Sequence, residues 1–78
     1  MPKLPVLSGR ELIDILVKAG FEEIRQKGSH VSMRRTTGYG SIGCVVPLHK
    51  ELAIGTLRGI LRQVQLSPEQ LIHIIQNS

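Results

Sequence analysis

With 78 residues, 41% of them hydrophobic, the chain suffices for one small domain and is too apolar for intrinsic disorder. A single cysteine excludes an internal disulfide and a cysteine-based metal site. Ten basic against six acidic residues leave a net charge of +4, so an anionic partner is the first expectation.

Residues 1–7, with two prolines, read as an extended lead-in to a single domain covering 1–78. They lack the apolar run of a signal peptide, and no stretch is long enough to span a bilayer. The expectation is a cytoplasmic protein with no membrane partner. Ser8-Gly9-Arg10-Glu11 then forms a capping box, with the Ser8 hydroxyl set to take the Glu11 amide. Leu12, Ile13, Leu16, Val17 and Ala19 follow at helical spacing, and Gly20 suits a left-handed helix ending with Phe21 packed back on Leu16.

A first strand is expected over 22–26, with Ile24 facing inward. Lys27-Gly28 reads as a two-residue hairpin turn, which puts Arg25 opposite His30. In the second strand, Val31 and Met33 fall on one face and His30, Ser32 and Arg34 on the other, because strand side chains alternate. Residues 36–40 form a loop, and Ser41 to Val46 a third strand. If Val31 and Met33 share a core with Ile42, Cys44 and Val46, then Met33 lies opposite Cys44, Val31 opposite Val46 and His30 opposite Pro47. His49 then falls near the His30 end of the sheet.

A second helix begins near Gly55-Thr56 and buries Leu57, Ile60, Leu61 and Val64, with Arg58 and Arg62 one turn apart on its outer side. Ser67-Pro68-Glu69-Gln70 announces a third helix, with Leu71, Ile74 and Ile75 as its buried stripe and His73 pointing away. The fold class is α+β: helix, three antiparallel strands, helix, helix, with the helices on one sheet face. The other face is open and bears His30.

Chemistry concentrates on that open face. His30 and His49 are the acid/base candidates; His73 reads as a surface residue. Cys44 reads as a small buried hydrophobe. The acidic residues do not cluster with His30 at ligand spacing, so no metal is expected, and no glycine-rich loop implies a nucleotide or other cofactor. Lys27, Arg34 and Arg35 flank His30 along the hairpin, with Arg25 on the neighbouring strand. With only Phe21 and Tyr39 aromatic, a sheet that stacks successive bases is excluded. What remains is a groove that holds phosphates and places an imidazole among them.

Gly28-Ser29-His30-Val31, then Val46-Pro47-Leu48-His49, Lys50-Glu51-Leu52 and Gly55-Thr56-Leu57-Arg58-Gly59-Ile60-Leu61 resemble the HicA (YcfA-like) family of mRNA interferase toxins. The resemblance implies a double-stranded-RNA-binding-domain-like fold, cleavage of mRNA, and neutralisation by a HicB-type antitoxin. It places the catalytic histidine at His30 and leaves His49 as a possible second acid/base group. Arg25, Lys27, Ser29, Ser32, Arg34, Arg58 and Arg62 are then the expected RNA contacts. The alternative is a non-catalytic RNA-binding module of the same fold. Gln65 departs from the family, where glycine often closes the second helix; a left-handed glutamine costs on the order of 1 kcal/mol, which argues for a different ending. Gly59 stands where a larger residue is usual and weakens the helix by about 1 kcal/mol.

Overall fold

The computed structural model describes residues 3–78; the first two residues of the expected lead-in lie outside the described residues. The chain runs α1 (Gly9–Lys18), β1 (Glu22–Lys27), β2 (His30–Thr37), β3 (Gly40–Pro47), α2 (Ile54–Gln63) and α3 (Pro68–Gln76). The strands make one antiparallel sheet in the order β1-β2-β3. The architecture is α+β, as expected.

Local sequence signals fix both ends of α1. The Glu11 amide donates to the Ser8 hydroxyl at 3.0 Å, and the Ser8 amide donates to the Glu11 carboxylate at 2.9 Å. At the other end Gly20 has φ +98, the Phe21 amide donates to the Leu16 carbonyl at 2.9 Å and the Gly20 amide to Val17 at 3.0 Å. That is a Schellman ending, and Phe21 is buried beneath it. Leu12, Ile13 and Leu16 are buried as expected, but the fourth core residue is Ile15; Val17 is 50% exposed. The reason lies in α3, whose Ile75 lines a hollow together with Ile15 and covers the flank of α1 that periodicity alone assigns to solvent.

The β2–β3 register is the expected one: Met33 pairs with Cys44, Val31 with Val46 and His30 with Pro47. Val31, Met33, Cys44 and Val46 are buried in one core with Leu12, Leu16, Leu57, Leu61 and Leu71 from the helices. Fully burying a leucine contributes roughly 2 kcal/mol. The one ion pair among the described residues, Arg10 to Glu23 at 3.3 Å, is half exposed on both sides and adds at most about 1 kcal/mol. Packing therefore holds the helices to the sheet.

β1 departs from the sequence reading in two ways. Lys27 is not a turn residue; it pairs with His30, and the turn is Gly28-Ser29. Gly28 has φ +59 while Ser29 does not go positive, the pattern of a II′ hairpin turn. Arg25 consequently lies opposite Ser32, not His30. The register also shifts between Glu23 and Arg25. A bulge there leaves Ile24 as the extra residue and breaks the alternation, so its side chain is 46% exposed rather than inward.

α2 starts at Ile54 with no side-chain cap at Ala53 and buries Leu57, Ile60 and Leu61. Its ending overturns the expectation of a different closure. Gln65 is left-handed at φ +60, and its amide and that of Leu66 donate to Arg62 and Leu61 at 3.3 and 3.0 Å. Leu66 packs against the core, and only two residues separate Val64 from the Ser67 cap of α3. The tight reversal and the leucine anchor hold the glutamine in that conformation. α3 begins with its own capping box, Ser67 with Gln70, and Pro68 at its first position; Leu71 is buried, Ile74 and Ile75 half-buried. No helix among the described residues is long and apolar enough to cross a membrane.

Candidate functional site

Residues directly opposite on paired strands share a face, with Cβ atoms about 5 Å apart. The register therefore writes the open face in three rows: Lys27–His30–Pro47, then Arg25–Ser32–Val45, then Glu22–Arg34–Gly43. Rows on one face are spaced by two residues, about 7 Å along the strand. His30 is exposed and begins the central strand, so its imidazole projects to solvent with Lys27 at its side. Arg25 and Arg34 occupy the next two rows. None of Arg25, Lys27 and Arg34 has an ion-pair partner among the described residues.

Arg35 is a correction. It pairs with Ile42 on the core-facing side of the sheet, and its guanidinium runs beside Gly20 at the C-terminal end of α1. There a cation complements the helix dipole rather than the His30 face. Arg58 and Arg62 are exposed on α2 and line a hollow with Leu61, Leu66 and Pro68 at the α2–α3 junction; no hairpin residue lines it.

His49 reaches the His30 end of the sheet through its main chain. The Leu48 amide donates to the Ser29 carbonyl at 2.7 Å, so Ser29-His30 and Leu48-His49 run side by side. The Gly9 amide donates to the His49 carbonyl at 2.9 Å, and the Leu52 amide to the Leu7 carbonyl at 2.8 Å. Gly9 is buried against this connection, and a Cβ there would overlap the Pro47 carbonyl oxygen. Sequence reasoning missed this role because Gly9 sits in a capping box that explains itself locally. Its close approach is made to a segment some forty residues away, and nothing nearby announces it.

Cys44 lies in the core beneath β3, and burial pushes its thiol up to about 11. A neutral, buried thiol is a poor nucleophile. The arrangement on the open face can do something different. It can hold a phosphate chain by unpaired cations and offer an imidazole within reach of it.

A family model described as the HicA toxin of bacterial toxin–antitoxin systems matches residues 9–66, from the first residue of α1 to the turn after α2. No curated protein matches the chain, and no solved structure does.

Proposed function

Because this chain belongs to the HicA toxin family of bacterial toxin–antitoxin systems, we propose that it is an mRNA interferase: an endoribonuclease that uses His30 in acid/base catalysis. The observation that carries this reading is the exposed His30 imidazole, opposite Lys27 and one row from Arg25. RNA supplies its own nucleophile, the 2′-hydroxyl beside each phosphate. In the proposed step that oxygen bonds to phosphorus and the bond from phosphorus to the 5′-oxygen breaks. One group takes the 2′ proton and another gives a proton to the departing oxygen; the products are a cyclic phosphate and a 5′-hydroxyl. His30 fills one of these roles, and His49 or water the other. Lys27, Arg25 and Arg34 stabilise the charge that builds on the phosphate, often the larger effect. Ser29 and Ser32 add hydroxyl contacts.

The helix–three strands–helix order suits the double-stranded-RNA-binding-domain-like fold. A HicB-type antitoxin of acidic character would silence the cytoplasmic toxin by covering the cationic face. Arg58 and Arg62 extend the RNA contact only if the strand leaves the sheet and passes the α2–α3 junction.

The test is incubation of labelled RNA with the purified chain and its His30→Ala form, both in EDTA. Cleavage in the variant should fall by about two to four orders of magnitude, and expression of the variant should no longer arrest growth. Undiminished cleavage refutes the assignment of His30. Binding without fragments in the wild type identifies a non-catalytic RNA-binding module instead.

A further inference from the structure

Beside His30 the open face is not flat. Ile24, Ser32, Arg34, Gly43, Val45 and Gln63 line a hollow of about 500 Å³, together with Met33 and Cys44 of the two central strands. Its composition is unlike that of the rest of the face. Ile24 and Val45 are large aliphatic side chains left 46% and 48% exposed. Gly43 stands opposite Arg34 and has no side chain; a Cβ there would lie 3.3 Å from the Met33 carbonyl oxygen. The Ser32 hydroxyl and the Gln63 amide, both at the hollow, can each donate and accept hydrogen bonds. The bulge at Ile24 and the reach of Gln63 from the end of α2 build this hollow, and no strand alternation would have assembled it.

Two aliphatic walls, an open floor and two-way hydrogen-bonding groups form a seat for a flat heterocycle with mixed donors and acceptors. A phosphate needs none of the walls, and an aliphatic ligand needs neither polar group. The Ser32 row lies about 7 Å from the His30 row, and Arg34 and Arg25 flank it to hold the backbone. We propose that the hollow seats a nucleobase of the RNA strand next to the phosphate presented to His30, with Ser32 and Gln63 contacting the base edge. The inference rests on the RNA-cleaving reading and adds to it a source of sequence preference.

The experiment uses the full chain carrying His30→Ala, so that ligands stay intact. It is titrated with four single-stranded homo-oligonucleotides of RNA and with an abasic oligonucleotide of equal phosphate number. At least one base-bearing strand should bind about five-fold or more tightly than the abasic strand, about what one net hydrogen bond to the base edge contributes. Gly43→Val, which fills the floor, should make the two converge. Gln63→Leu, on an exposed helix end, should change the ranking of the four bases. Equal binding of base-bearing and abasic strands overturns the base seat alone. No binding of either overturns the RNA reading on which it rests. A preference that survives both Gly43→Val and Gln63→Leu overturns the location.

Discussion

Replacing Gln65 with glycine should stabilise the protein. Gln65 is the one non-glycine residue with positive φ among the described residues, at +60. A left-handed conformation costs an ordinary residue roughly 1–2 kcal/mol. Glycine removes that strain but adds freedom to the unfolded chain, which takes back about 0.4–1 kcal/mol. The net gain lies between about 0 and 1.6 kcal/mol and centres near 0.8 kcal/mol, because the Leu66 amide keeps its bond to Leu61 and the reversal is otherwise unchanged. For a domain of this length that corresponds to a melting temperature higher by about 4 °C. In urea, with a slope near 1 kcal/mol/M, the midpoint should rise by roughly 0.8 M at unchanged slope. Equilibrium unfolding followed by circular dichroism measures it. A midpoint that falls would refute the strain argument and mean that the glutamine side chain makes a favourable contact of its own.

Gly59→Ala should add about 1 kcal/mol by the same assay, because a Cβ there meets nothing within 4 Å and α2 gains a better helix former. Gly9→Ala should lower stability by about 1–3 kcal/mol through overlap with the Pro47 carbonyl; an unchanged melting temperature would count against the close approach. The Cys44 thiol is neutral in the folded state up to about pH 11, whereas an unfolded thiol ionises from roughly pH 8.5. The unfolded state therefore binds fewer protons between those values, and stability should fall as pH rises from about 9 to 11. Cys44→Ala should flatten that part of the profile, and an equally steep decline in the variant would assign it elsewhere. Single-stranded RNA binding should weaken with salt at a slope near −0.7 per phosphate contacted; affinity independent of salt would contradict a cationic groove.

The β2–β3 pairing was legible because two strands with matched alternation, Val31 and Met33 against Ile42, Cys44 and Val46, have one register that buries both sets. The capping boxes at Ser8 and Ser67 were legible because each is complete within four residues. β1 was not, since Glu22 to Lys27 carries a single aliphatic residue and every position of the strand is exposed. No hydrophobic pattern pinned its frame, so the turn was read one residue early and Arg25 was placed beside His30 where Lys27 stands. The same weakness hid the bulge. Of the site itself, the His30 face followed from alternation, whereas Gly9 and Gln63 depend on neighbours distant in the chain.

The connection after β3 is tied down by three peptide hydrogen bonds, Leu48 to Ser29, Gly9 to His49 and Leu52 to Leu7, and by Leu52, which is buried in the core, with Leu48 packed against it. Most amino-acid replacements in this segment leave such ties in place, since every residue but proline keeps its amide. The exposed positions of this loop, such as Lys50 and Glu51, are thus free to vary in surface character, for instance to suit a different inhibitor, while its path is kept. Leu4 and Leu7 of the lead-in are buried; peeling them away would slacken the Leu52 tie and, through it, the seat of His49.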